Sequence, residues 1–323
     1  MRFLLFALAL LLFSSAAFCG ALKSYTDIYF IGGGIHRYFS AGDATVVKLP
    51  GGKVLGIDFN KHDRKYDVWT DEAGNKVTAA EYLYEQYKEL GINRLDYIVI
   101  SHWHGDHSGG LVYLMEQGFD LSGATVFIPD ADTAEKLCAD PHAAYGEVRA
   151  NYPSVTKMLE ERGCRIVCPG DGDKAYLSGA SLTLYNNEQG YLDFNRNYNN
   201  YSLVCCLEYA GQKVLFTGDC DAEAQKHMAP DMFKVQVLKS MHHSWVPVDD
   251  DFIARTDPDM VISMDGNAHD KYLYEPKSEI QPWAEEHKVP HLRTNLNGTI
   301  GIRLSRKGVS LLTDSKPFVR EKQ

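Results

Sequence analysis

Four metal-capable side chains, His102, His104, Asp106 and His107, crowd into six residues directly after the apolar run Tyr97 to Ile100. No other stretch restricts the chain so tightly. An apolar strand is expected to be buried, and buried imidazoles and carboxylates are costly unless something satisfies them. Alternation along an extended chain puts His102 and His104 on one side, where neutral imidazoles can hold one divalent ion. Asp106 and His107, past the turn at Gly105, can then face a second ion. Gly105, Gly109 and Gly110 read as loop glycines, so the following helix is expected only over Leu111–Gln117. A solvated, histidine-rich turn is the competing reading, and the buried strand in front of it argues against that.

With 323 residues, 45% of them hydrophobic and 24% charged, the chain can bury a large core. One sizeable domain over 20–323 is expected. The net charge of −10 and pI near 5.6 argue against affinity built on neutralising many phosphates, although a local basic groove could survive them. On charge alone, nucleic acid is therefore a possible but not a favoured partner.

Residues 1–19 have the layout of a secretory signal: Arg2, an apolar core from Phe3 to Phe13, then small residues. Ala17 and Cys19 suit the positions before a cleavage site, so a secreted or periplasmic protein is expected. A lipid-anchored Cys19 fits less well, because Phe18 precedes it. A retained anchor would need roughly 20 apolar residues, and this run is shorter. Removal of the leader leaves Cys138, Cys164, Cys168, Cys205, Cys206 and Cys220. They could bridge in an oxidising compartment or serve as small buried residues.

Along the chain, Asp27–Ile31 reads as a strand and Gly32–Gly34 as a turn, with His36 on the surface. Asp43–Leu49 and Lys53–Phe59 form a hairpin around Pro50-Gly51-Gly52. Asp58 at its end is either a strand-end cap or the acceptor that orients a ligand histidine. Asp71–Asn75 suits a turn, and Ala79–Leu90 has helical spacing. Thr125–Pro129 is a buried strand, and Ala131–Ala139 and Glu147–Arg162 read as helices. Arg165–Val167 and Leu182–Tyr185 are assigned to a second sheet. The polar aromatic stretch 186–201 reads as a functional loop, offering Tyr198, Asn200 and Tyr201 toward a substrate.

Two more strands end in candidate ligands. Lys213–Thr217 runs into Gly218-Asp219, and Asp219 could cap a helix over Ala222–His227 or bind metal. Cys220 beside it could also approach the ion. Val235–Leu238 runs into His242-His243-Ser244-Trp245. One histidine of this pair would ligate, and the other would sit over the site as a hydrogen-bond donor or general acid. His243 is preferred as the ligand and His242 as the donor, although alternation alone leaves them interchangeable. Trp245 is a third aromatic candidate for substrate contact.

The His-x-His-x-Asp-His-Ser-Gly-Gly pattern resembles the metallo-β-lactamase superfamily. The resemblance implies an α/β fold of the αββα kind: two mixed β-sheets with helices on the outer faces. It also implies one or two divalent ions, usually Zn2+ with Mn2+ or Fe as alternatives, and hydrolysis by a metal-bound hydroxide. Gly42-Asp43-Ala44, Asn200 with Ser202-Leu203-Val204, Thr217-Gly218-Asp219, and Leu238-Lys239 with His242-His243-Ser244 look like the ComEC-type hydrolase domain. Its secreted relatives include phosphorylcholine esterases. That branch lacks the third histidine of the lactamases, and no histidine lies between His142 and His227 here. The resemblance thus assigns His102, His104 and Asp219 to one ion, with Asp106, His107, Asp219 and His243 on the other. Ser244 follows the histidines directly, where the family has Gly-Ser. A ligand-poor first ion suits a phosphodiester. Lactam, lactone or thioester hydrolysis is the alternative, and a non-catalytic, metal-stabilised binding module is another.

Overall fold

The chain builds two sheets by one recipe, an antiparallel meander that continues into parallel strands. The computed structural model describes residues 23–32, 42–62, 68–70, 74–139, 146–187, 198–265 and 278–312. The signal at 1–19, Gly33, Gly34, His36, the start of the turn at 71–73, Tyr191 and Phe194 of the aromatic loop, and residues 266–267 lie outside them.

In the first sheet, β1 (Tyr25–Phe30), β2 (Ala44–Lys48) and β3 (Val54–Phe59) run antiparallel. A small ribbon, β4 (Val68–Thr70) with β5 (Lys76–Thr78), leads to helix α1 (Ala79–Glu89). Thr78 and Glu81 start that helix with a reciprocal capping box. Parallel strands follow: β6 (Tyr97–Val99), β7 (Thr125–Phe127) and β8 (Arg165–Val167). The crossovers between them are α2 (Gly105–Glu116), then α3 (Ala131–Ala139) and α4 (Gly146–Glu161).

The second sheet opens with antiparallel β9 (Lys174–Leu177), β10 (Ala180–Tyr185), β11 (Val204–Tyr209) and β12 (Gln212–Phe216). It continues in parallel as β13 (Val237–Lys239), β14 (Met260–Ser263) and β15 (His291–Arg293). Helices α5 (Ala222–Met228), α6 (Asp250–Thr256) and α7 (Gln281–Glu286) cross over, and the short α8 (Thr294–Asn297) follows β15. The last hairpin, β16 (Ile300–Ser305) and β17 (Gly308–Leu311), returns to the first sheet beside β1.

The sheets face each other across one apolar layer that includes Ile28, Phe30, Leu55, Val99, Leu182, Leu207, Val214 and Ile262. Phe30 and Phe216 stack across it at 5.8 Å. A second apolar layer lies under α1, α2 and α4, and a third under α5, α6 and α7. This is the αββα arrangement of two mixed sheets. No described helix is long and apolar enough to cross a membrane.

Two expectations need correction. β8 belongs to the first sheet, because the crossover through α3 and α4 returns it parallel to β7, with Thr125 opposite Arg165. The helix expected from Leu111 begins at Gly105, so Asp106 and His107 lie on its first turn and not on a loop. The glycines that suggested a loop serve packing. A Cβ at Gly110 would stand 1.8 Å from the Phe59 carbonyl oxygen, so glycine lets α2 press its backbone onto the end of β3.

Candidate metal centre

Parallel strands of an α/β sheet present their C-terminal ends together, and the loops there can converge on one point. Here β3, β6, β12, β13 and β14 do so, delivering Asp58, the 101–107 segment, Asp219, His243 and Met264. Asp106, His107, Asp219 and His243 offer ligand atoms within 4.8 Å of one another, and they could hold a metal ion. His107 Nε2 lies 3.1 Å and His243 Nε2 3.4 Å from Asp219 Oδ2. His243 Nε2 is 3.5 Å from Asp106 Oδ2.

His102 stands beside this group, its Nε2 3.9 Å from Asp219 Oδ2 and 3.0 Å from His104 Nδ1. His242 lies at the edge, 3.7 Å from Asp219 and partly open to solvent, with Asn199 Nδ2 3.3 Å from its ring nitrogens. Solvent therefore reaches the group past His104, Asp106 and His242, while His102, His107, Asp219 and His243 are buried.

Each buried imidazole is aimed by its other nitrogen. His107 Nδ1 meets Asp58 Oδ2 at 2.9 Å, and His243 Nδ1 donates to the Met264 carbonyl at 3.0 Å. His102 Nδ1 lies 3.1 Å from Ser101 Oγ and 3.3 Å from Ser202 Oγ. Asp58 also accepts from Ser101, from N at 2.8 Å and from Oγ at 2.7 Å. It is thus the acceptor behind a histidine, with a backbone φ of 51° that an aspartate tolerates. Ser202 Oγ also accepts from Asp219 N at 3.0 Å. Gly218 is tightly held: at φ 52°, a Cβ would come within 2.8 Å of both Ser101 and Ser202.

The charges divide the histidines into two kinds. Burial holds His102 well below an ordinary imidazole, and nearby His107 and His104 push the same way. Burial also lowers His104 and His242. Burial opposes charge on His107 and His243 as well, but Asp219 and the other carboxylates outweigh it and hold both imidazoles well above their ordinary value. In return the Asp106 and Asp219 carboxyls are held far below the usual carboxylate range, against their burial. Burial pushes Asp58 up and His107 pulls it back. The donors converging on Asp58 keep it an acceptor.

These residues fit a divalent ion. Asp219 Oδ1, His107 Nε2 and His243 Nε2 are buried with no hydrogen-bond partner among the described residues. Buried polar atoms left so are costly unless a ligand takes them up. Facing nitrogens and carboxylate oxygens make a donor set for a hard or borderline cation.

Residues 71–124, which contain the cluster's first strand and helix turn, match the family model described as the metallo-beta-lactamase superfamily. The match ties this segment of the chain to that superfamily. Its members are metal-dependent hydrolases. The chain is 24% identical over 173 residues to endoribonuclease YSH1 of Candida albicans, covering 50% of this chain and 19% of that protein. It is 24% identical over 225 residues to ComE operon protein 3 of Bacillus subtilis, covering 67% of this chain and 26% of that protein. The chain thus spans about a quarter or less of the length of these relatives. Among solved structures, the metallo-beta-lactamase fold protein YhfI of Bacillus subtilis superposes with a TM-score of 0.49 at 12% identity, covering 87% of this chain and 100% of that one.

Two residues expected to touch substrate do not line the opening. Asn200 is buried, and its Oδ1 accepts from Asp221 N and Ala224 N, closing the first turn of α5. Tyr201 is buried against Tyr198, the rings stacked at 5.5 Å. Both belong to the scaffold because the segment at 198–201 folds inward as a helical turn. Trp245 is different: it is 49% exposed, with its ring 5.8 Å from His242 and 5.5 Å from His243. Asp221, not Asp219, caps α5. The Cys220 thiol donates to the Ser202 carbonyl at 3.7 Å, and the six described cysteines are unbridged.

Sequence reasoning passed over Asp43 and Lys239 as functional residues. Lys239 is buried and ion-paired with Asp43, whose Oδ1 lies 3.2 Å from His243 Nδ1. Burial works against its charge, but Asp43 and then Asp219 keep the ammonium above its ordinary value. The available signal was a lysine closing the apolar run 235–238.

Proposed function

We propose that this chain is an exported hydrolase of that superfamily with two divalent ions, most simply Zn2+, acting on a phosphodiester. The observation that carries the reading is the convergence of His107, Asp219 and His243 with unpartnered ligand atoms, beside the His102–His104 pair. In this assignment His102, His104 and Asp219 would hold one ion, and Asp106, His107, Asp219 and His243 the other. Divalent ions held there would lower the pKa of a water toward neutrality and screen charge on a phosphoryl oxygen.

The remaining steps fall to the chain's own side chains. Asp106 keeps the open side of the cluster anionic and fixes His243 from the front. His242 is kept neutral by burial, so it donates a hydrogen bond to a non-bridging oxygen and is a poor store of a proton. Trp245 offers a flat apolar face beside that oxygen for a base or a quaternary ammonium. Asp43, Asp58, Asp106 and Asp219 outnumber the one lysine among them. Two divalent ions would turn that negative balance slightly positive, which suits a monoanionic diester. One curated relative is named an endoribonuclease, which agrees with phosphodiester chemistry. Export rests on the leader pattern at 1–19, and a mature chain beginning at Gly20, read by mass spectrometry, tests it. One domain over 20–323 accompanies this reading.

The test is a panel of chromogenic phosphodiesters and β-lactams with wild type and Asp106→Ala. The expected result is diester turnover that chelator abolishes, added Zn2+ or Mn2+ restores, and Asp106→Ala lowers at least a hundredfold. Lactam turnover without diester turnover overturns the substrate class. Undiminished hydrolysis by pure Asp106→Ala overturns the site.

A further inference from the structure

Behind the cluster formed by Asp106, His107, Asp219 and His243 lies a second one. Asp43, Asp58 and His107 also bring ligand atoms within 4.8 Å of one another, and all three residues are buried. By donor type alone this inner set could attract a divalent ion as the outer set does. A small cavity lined by Asp43, Thr45, Asp58, Ser101, Gly218 and Lys239 leaves space there.

Lys239 enters this place from the end of β13. Its side chain is 2% exposed, its Nζ pairs with Asp43 Oδ2, and it donates to the Gly218 carbonyl at 3.0 Å. Asp43 is itself fixed at the start of β2, its N donating to the Asp106 carbonyl at 3.2 Å and its carbonyl accepting from Asn60 N at 2.6 Å. The ammonium is therefore tied to a carboxylate that cannot move away. A divalent ion entering the inner set would have to displace it and leave a buried lysine without its partner, close to ions in the outer set. Both the lost pairing and the like-charge repulsion oppose that.

We propose that Lys239 is the resident cation of the inner carboxylate set and closes it to metal, confining divalent ions to the outer set. Lys239 is a positioning residue in this scheme. It also holds Asp43 where its Oδ1 faces His243 Nδ1, which leaves Nε2 directed at Asp106 and Asp219. The inference rests on the metal-binding reading of the outer set, and ion counting separates the two.

The experiment counts ions in the full chain by native mass spectrometry after loading with Mn2+, with spin quantitation by EPR. Lys239→Met is expected to carry one Mn2+ more than wild type, and Lys239→Arg the same number as wild type. Lys239→Met combined with Asp43→Asn is expected to return to the wild-type number, because the inner set has lost a ligand. If Lys239→Met is unfolded without ions, Mn2+ is expected to restore its far-UV circular dichroism with the same one-ion excess. A Lys239→Met that folds with the wild-type ion number overturns the proposal, as does one that stays unfolded at saturating Mn2+. A wild type that takes up no Mn2+ removes the reading of the outer set, and this proposal with it.

Discussion

Replacing Asp58 with asparagine or alanine separates what this residue does for the fold from what it does for the metal site. Asp58 Oδ1 accepts from the Ser101 N–H, which can only donate. In Asp58→Asn the amide oxygen must keep that position, so the NH2 lands where Oδ2 now faces His107 Nδ1 at 2.9 Å. Ser101 Oγ can turn to accept, and His107 Nδ1 must accept as well. The imidazole proton then moves to Nε2, the atom aimed at Asp219, and that nitrogen can no longer bind a cation. Asparagine leaves every donor satisfied and tolerates the φ of 51°, so the fold should lose only about 1–2 kcal/mol. Alanine strands the Ser101 N–H and forces a left-handed backbone on a residue that resists it, for about 2–4 kcal/mol. It leaves His107 free to choose either tautomer. The expected stability order is therefore wild type, Asn, Ala, whereas the expected metal affinity order is wild type, Ala, Asn. Loss of an orienting acceptor typically costs about 10–100-fold in affinity, or roughly 1.4–2.7 kcal/mol. Urea unfolding gives the first order, and calorimetric titration of chelator-stripped protein with Zn2+ gives the second. Affinities that simply follow stability would refute the tautomer argument.

Stripped of metal, the protein should have its own pH window. His107 and His243 are raised in the fold, so their stabilisation is full below the ordinary imidazole value of 6.5 and fades as pH climbs through their folded values. Asp106 and Asp219 are lowered, so theirs is present above the ordinary value of 3.8 and is lost as pH falls toward their folded values. Melting curves between these limits and beyond, with and without chelator, should show the metal-induced rise in Tm growing with pH. A stripped protein whose Tm climbs from pH ~6.5 to ~8.5 would contradict this. At Ser244, φ is 67° and Oγ bonds to Ser240 at 2.7 Å and to Ser263. Ser244→Ala should cost about 1–3 kcal/mol in a urea melt. Ser244→Gly should cost about 1 kcal/mol less, since glycine relieves the left-handed backbone. Trp245→Ala should raise KM for a nucleotide diester roughly tenfold with kcat little changed. An unchanged KM would remove the indole from substrate binding.

Residues 102–107 state their chemistry locally: a short apolar strand, then four ligand-type side chains at a spacing that a strand and one helical turn can aim at a point. Asp219 and His243 were legible for the same reason, because each follows an apolar run that has to end at a sheet edge. Asp58 was ambiguous in sequence, since a strand-end cap and an orienting acceptor look alike until the partner is seen. The glycines at 109 and 110 misled, because a glycine that permits close helix packing and one that permits a turn are the same letter. Asn200 and Tyr201 were read as loop residues, since nothing local says that a polar aromatic stretch folds inward.

The sequence by itself determined the ligand types, the alternation that makes the strands and the apolar faces that stack the layers, since each is a periodicity within a few residues. Only the tertiary structure decided which sheet receives β8, which histidine of the pair at 242–243 is buried against Asp219, and that Lys239 meets Asp43. Those are matches between distant segments, fixed by how sheets twist and helices pack, and no local pattern carries them.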